Sequence, residues 1–349
     1  MNIYDISQKA GVSIATVSRV LNGSDRVSEK TRQKVLSVMN ETGYTPNIFA
    51  KGLSSNSMQT IGILCANASD PYLANGVYYT ERTLRQFGYN SLLSCTGHEL
   101  KDKQYALDML LKKRIDAVVM VGSHYIESNP ENRQYIYDAA KQVPVIIFNG
   151  YIEHDNIYCS FSQDREAVSK AANYLLSQNR KHLLFLYTML SYSGREKLYG
   201  FQKTLQTYGY SKKEIAALQC PVSVMETLEF LESLYPDTFP FDGIITSEDS
   251  VAIGALKFAQ NRGIHVPEQL EIIGYNNSQL CVCCTPELTS IDNHLSTMCQ
   301  NGVQNLIRVL KHEPISAATS IPCDLIFRGT TKKQYESDRG DLTLPFHTT

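Results

Sequence analysis

No stretch of the 349-residue chain approaches the ~20 consecutive apolar residues that a membrane-spanning helix needs. The opening MNIYDISQKAG has neither a basic leader nor an apolar run behind it, so it does not read as a secretory signal. Neither sign of charge dominates: 33 Lys and Arg face 35 Asp and Glu, a net of −2, which excludes a general polycation. No G-x-S-x-G, P-loop or G-x-G-x-x-G stands at a strand–helix junction, so an enzyme is not expected. His98, His124, His154, His182, His265 and His294 are scattered without metal spacing. The group Cys281-Val282-Cys283-Cys284 has no second Cys-x-x-Cys and no histidine at ligand distance, so neither a metal nor a cofactor is expected. Nine cysteines, an odd number, read as reduced thiols of a cytoplasmic protein.

What is present is ordinary globular composition, 43% hydrophobic and 19% charged, which argues against extensive disorder. At about 150 residues per domain the length predicts two or three domains, with ample chain for a core. The near-neutral total hides an asymmetry. Residues 1–60 hold seven basic side chains (Lys9, Arg19, Arg26, Lys30, Arg32, Lys34, Lys51) against Asp5, Asp25, Glu29 and Glu41. That is +3, leaving −5 on the rest. A basic head on an acidic body is the electrostatic footprint of a small nucleic-acid-binding module joined to a larger domain.

The spacing predicts three helices in the head. Asn2 caps the first, from about Ile3 to Ala10, with Asp5 in its first turn. Gly11 makes a tight turn, and Ser13 caps the second, Ile14 to Leu21, whose Val17, Val20 and Leu21 face inward. Asn22-Gly23 ends it. Ser28 caps the third, Glu29 to about Thr42, with an apolar stripe of Val35, Leu36 and Met39, and Gly43 terminates it. Two short helices joined by a glycine turn and closed by a third make a helix-turn-helix, whose second helix lies in the major groove. Its outward residues are Ile14, Ala15, Thr16, Ser18, Arg19 and Asn22. Arg19 suits a bidentate fork to guanine, Ile14 and Ala15 a thymine methyl, and Ser13 and Ser18 the phosphates. The alternative is a plain three-helix surface domain.

The run Ala10-Gly11-Val12-Ser13-Ile14-Ala15-Thr16-Val17-Ser18-Arg19-Val20-Leu21-Asn22-Gly23 resembles the DNA-binding head of the lactose/galactose-repressor (LacI/GalR) family of bacterial transcription regulators. So do Val27-Ser28-Glu29-Lys30-Thr31-Arg32 and Gly43-Tyr44-x-Pro46-Asn47, and further matches extend to about residue 330. The resemblance implies a head over 1–46, a hinge helix and linker over 47–59, an effector-binding and dimerisation body over 60–332, and a tail over 333–349. The DNA-contacting set becomes Tyr4, Ser13, Ile14, Ala15, Thr16, Ser18, Arg19, Asn22, Arg26, Ser28, Thr31, Tyr44, Asn47, Ala50, Lys51 and Leu53. Two turns of hinge helix are too short to stand alone in water. The resemblance implies that they pair with a second copy in the minor groove, where Leu53 matches the family's wedge leucine.

From Thr60 on, apolar strands alternate with amphipathic helices: Ile61–Ala66, Ser91–Cys95, Ala117–Gly122, Val145–Phe148, Leu183–Tyr187, Gly243–Thr246 and Glu271–Tyr275. This is the α/β pattern of parallel sheets covered on both faces. The resemblance implies a two-lobed, periplasmic-binding-protein-like core. Its N-lobe covers about 60–160 and 291–321, its C-lobe about 161–290 and 322–332. Ligands in such sheets sit at the carboxyl ends of strands. The expected effector residues are Asp70, Tyr72, Leu73, Asn149, Arg195, Lys197, Glu248, Asn276 and Asn293.

Several of these depart from the family pattern. Asn149 and Asn276 replace acids, Glu248-Asp249 replaces Asn-Asp, and Lys197 stands where the family has arginine. An ammonium does not reproduce a guanidinium fork, so the effector class is not carried over. The expectation is a homodimeric regulator, read as a repressor, on a pseudo-palindromic operator and answering to a sugar or sugar derivative. The alternatives are a solute-binding protein, or a regulator answering to a non-sugar effector such as a nucleobase or a phosphoprotein corepressor. The tail from Thr330 has no leucine heptads, so a tetramerising coiled coil is not expected.

Overall fold

The computed structural model describes residues 2–21, 23–44 and 57–332. Among these, no helix is long and apolar enough to cross a membrane.

Local signals set the helices of the head. In α1 (Ile3–Ala10) the Asn2 side chain accepts from the backbone of Tyr4 and Asp5, while Asp5 accepts from the Asn2 N–H at 2.8 Å. This reciprocal box satisfies donors that the first turn leaves bare. Gly11 leaves the helix at φ 59°, in the left-handed region that glycine enters without penalty. Ser13 accepts from Thr16 N at 3.1 Å and opens α2 (Ile14–Leu21). Ser28 caps α3 (Glu29–Thr42) by accepting from Thr31 N. Ile6, Ala10, Val17, Val20, Val35 and Met39 meet in the core, with Leu21, Val27, Val38 and Tyr44 packed around them. Leu36, expected on the α3 stripe, is 39% exposed. Val35, Val38 and Met39 keep the i, i+3, i+4 spacing of one face, and Leu36 is turned a full residue step away from it.

The body holds two six-stranded sheets. The strands of the first are β1 (Thr60–Cys65), β2 (Asn90–Cys95), β3 (Ala117–Val121), β4 (Val145–Phe148) and β5 (Ile157–Ser162). Those of the second begin with β6 (Leu183–Tyr187), β7 (Ala216–Gln219), β8 (Gly243–Thr246), β9 (Glu271–Tyr275) and β10 (Thr289–Asp292). The last two, β11 (Ala318–Ile321) and β12 (Asp324–Ile326), divide between the sheets. The first runs β11-β5-β4-β3-β1-β2, all parallel; the second runs β12-β10-β9-β8-β6-β7, with β12 alone antiparallel. Helices α4 (Pro71–Gln86), α5 (Leu100–Leu111) and α6 (Gln134–Ala140) cover the first sheet. Next come α7 (Asp164–Ser177), α8 (Tyr192–Thr207), α9 (Val224–Leu234) and α10 (Asp249–Asn261), which cover the second. The last, α11 (Leu295–Leu310), returns to the first sheet beside α4.

Central strands are buried on both faces. Val119 and Val121 of β3 face α4 and α11, while Val118 and Met120 face α5 and α6, as the two-residue period of a strand requires. The chain passes between the sheets three times: after Ser162, between Asp292 and Leu295, and between Ile321 and Asp324. Two expected lobe boundaries therefore move. Residues 161–162 complete β5 of the first sheet, and Ile291 and Asp292 belong to β10 of the second, because each strand pairs to its full length before the chain turns away.

Candidate functional sites: the head and the inter-lobe cleft

The second helix of the head presents an open face. Ile14 is 39% exposed, Tyr4 on α1 is 65% exposed, and Ser13, Ala15, Arg19, Arg26 and Ser28 are also exposed. Thr16, Ser18 and Thr31 are half-buried. The Ser13 and Thr16 hydroxyls pair at 2.9 Å, as do those of Ser28 and Thr31. Tyr44 packs part of its ring on the head's core. Asn22, Asn47, Ala50, Lys51 and Leu53 lie outside the described residues.

In the body, strand ends from both lobes converge on a cavity of about 130 Å³. Asp70, Tyr72, Leu73 and Asn149 line it from the first lobe; Lys197, Glu248 and Asn276 line it from the second. Two expected members stand elsewhere. Arg195 donates through Nη1 to Ser128 Oγ and Leu190 O, both at 2.8 Å, tying the lobes together outside the cavity. Asn293 sits on the second crossing. Its Nδ2 donates to Asn276 Oδ1 at 3.0 Å and to Tyr72 OH at 3.2 Å. The sequence reading missed His98, His124 and Ser123 on one wall and Thr188, Ser191 and Ser247 on the other. The strand-end rule, applied after β2 and β3, would have found the first three.

The charges are held by named partners. Asp70 caps α4 by accepting from Leu73 N at 2.9 Å. Lys197 is 6% exposed; its Nζ donates to Ser247 O at 3.1 Å and lies 3.6 Å from the centre of the Tyr275 ring. Burial pushes this ammonium's pKa down, against the pull of Asp164 and Glu248. Asp164 accepts from Tyr275 OH, and burial pushes its carboxyl up, opposed by Lys197. Glu248 accepts from Thr188 Oγ1 at 2.6 Å and is likewise raised by burial. On the facing wall, burial and then Lys103 lower His124 to about 3, so its imidazole is neutral. Lys103 itself is buried, donating to His124 O at 2.8 Å and Glu127 Oε1 at 2.7 Å.

Two asparagines hold unusual backbones at this site: Asn149 at φ 59° and Asn276 at φ 99°. Asn149 is 6% exposed, and its Oδ1 receives no hydrogen bond among the described residues. Ser123 Oγ meets Ser191 Oγ at 2.8 Å across the cleft. The lining is made of polar side chains from both lobes, and none of its serines bonds a histidine among the described residues.

Residues 2–47 match the pattern of the bacterial regulatory proteins, lacI family, and residues 172–331 match a periplasmic binding protein-like domain. An HTH-type transcriptional regulator of Lachnoclostridium phytofermentans is 50% identical over 331 residues, spanning 95% of this chain and 99% of that protein. The chain belongs to the lacI family. It is a sequence-specific DNA-binding transcription regulator and not an enzyme. Among solved structures, the lac repressor bound to ONPG in its repressed state matches with a TM-score of 0.85 at 22% identity, over 95% of this chain and 99% of that one. The complex of the transcriptional regulator CelR with cellobiose matches with a TM-score of 0.66 at 20% identity, over 95% and 99%. These likenesses place the lacI-family head and two-lobed body in a shared fold. The solute-binding alternative falls with the family assignment.

Proposed function

We propose that this lacI-family chain is a cytoplasmic repressor. It binds a pseudo-palindromic operator as a homodimer and is released or held there by a small polar effector, a sugar or sugar derivative, in the inter-lobe cleft. The observation that carries the effector reading is the cavity itself, where side chains of both lobes meet and Asn149 Oδ1 is buried without a donor among the described residues. A buried acceptor left unpaired costs on the order of 1–3 kcal/mol, and a hydroxylated ligand that donates to it recovers that energy only when the lobes close around it.

In the head, Arg19, Ile14 and Ala15 read base edges, while Ser13, Ser18, Thr16 and Arg26 fix the register on the phosphates. Tyr4, Ser28, Thr31 and Tyr44 support that footing. The segment with Asn47, Ala50, Lys51 and Leu53 forms paired hinge helices on DNA. Closure of the cleft re-sets how two copies of the first lobe sit together, and so whether the hinges pair. Coupling of this kind is of order 1–3 kcal/mol. The test is operator selection from random duplexes with the full chain, followed by titration of candidate effectors. The reading requires an enriched two-fold symmetric sequence and an affinity for it that an effector changes by at least about fivefold.

A further inference from the structure

We infer that the cleft takes an effector bearing a cationic amine among hydroxyl groups, an amino sugar or amino polyol, with its ammonium seated between Asp70 and Glu248. This rests on the reading of the cleft as the effector site and deepens it.

The two carboxylates line one cavity from opposite lobes, Asp70 after β1 and Glu248 after β8. Each has one oxygen engaged, Asp70 by Leu73 N and Glu248 by Thr188 Oγ1, and the other has no donor among the described residues. They repel: the charge of Asp70 adds to the forces that raise Glu248. The cavity's one ammonium offsets them in part: Lys197 pulls on Glu248, but it is shared first with Asp164, and its Nζ is turned onto the Tyr275 ring and Ser247 O.

Two of the hydroxyl donors are consumed within the protein. Ser123 donates to Ser191, and Thr188 to Glu248. Tyr72 OH and Ser191 Oγ accept and keep their own hydrogens, and beside them stand the carboxylates and an unpaired acceptor. Asn149, more than nine-tenths buried, has an Oδ1 that receives no hydrogen bond among the described residues. A lining rich in acceptors and negative charge selects a ligand rich in donors and positive charge. A carboxylate or phosphate would add a third anion to a closing cleft. A neutral sugar would satisfy Asn149 but leave the facing carboxylates in repulsion.

The test is calorimetric titration of the full-length protein with matched sets built on glucose, galactose and mannose: the 2-amino sugar, the parent sugar, the N-acetylamino sugar, the uronic acid and the 6-phosphate. The expected result is that an amino sugar binds at least about tenfold more tightly than its parent and its N-acetyl derivative. Asp70→Asn and Glu248→Gln, which keep the helix cap and the Thr188 contact, should each bring that ratio close to one. An anionic or neutral member that binds as tightly as the amine overturns the inference and leaves the cleft as the effector site. A preference that survives in both variants overturns it too. Absence of binding by every member of every set counts against the inference and against the effector reading together.

Discussion

Asn293 donates to Asn276 Oδ1 at 3.0 Å, and the same amide nitrogen reaches Tyr72 OH at 3.2 Å. A residue on a lobe crossing thus joins the cleft floor of the second lobe to the first helix of the first. Asn293 is 1% exposed, and its two partners are half-buried beside the cavity. Replacing it with alanine strands Tyr72 OH and Asn276 Oδ1, and the expected loss is about 1–3 kcal/mol in urea unfolding. Unchanged stability would show that the bridge contributes nothing.

Arg180 and Glu271 form a buried ion pair in the second lobe, Nε to Oε1 at 2.9 Å, with Arg180 also donating to Gln269 O and Glu268 O. Glu271 is fully buried. Arg180→Met leaves that carboxylate without its main partner, and the expected cost is about 3–5 kcal/mol. The double change Arg180→Met with Glu271→Leu removes both charges and should cost less than the single one. A double mutant as unstable as the sum of the two singles would contradict this.

His124 sets a pH dependence. Its pKa is about 3 in the folded protein against an ordinary 6.5, which it regains on unfolding. The unfolded chain therefore takes up the proton first as the pH falls. The stability contributed by the neutral, buried imidazole is complete above pH 6.5 and declines toward pH 3, at about 1.4 kcal/mol per unit. Asp164, Glu248 and Asp249, which burial raises, act in the opposite sense on acidification. The comparison is thus with His124→Gln: between pH 6.5 and 5 the parent should lose about 2 kcal/mol relative to the variant. Parallel curves would refute it.

Gly200 brings α8 against α7 so closely that an added Cβ would lie 2.3 Å from Arg165 O. Backbone cannot yield as a side-chain tip does. Gly200→Ala should destabilise by about 1–3 kcal/mol, read as a lowered Tm. An unchanged Tm would mean the helices separate freely.

The head was legible because its punctuation is local: Asn2, Gly11, Ser13, Ser28 and Gly43 each act within four residues. The central strands were legible because burial on both faces leaves an unbroken apolar run. Edge strand β7, Ala216–Gln219, is half-buried and its short apolar run is built on alanines, which have little strand preference, so it went unseen. The cleft was partly legible. Lys197 and Arg195 share a helix, but residues two apart point to nearly opposite sides; one enters the cavity and the other ties the lobes outside it. The roles of Asn149 and Asn276 depend on positive φ values that a single sequence does not announce.

Arg19 tests the head most simply. It stands exposed on α2, and Arg19→Ala should cost about 1–3 kcal/mol at one operator position while relaxing base preference there. A uniform loss across all sequences would instead make it a phosphate contact.

The most direct measurement is competition binding of the full-length protein to its selected duplex against bulk genomic DNA at fixed salt. The account predicts a preference of at least about a thousandfold, altered by the ligand that fills the cleft. Equal affinity for the selected duplex and the competitor, with and without that ligand, would contradict it.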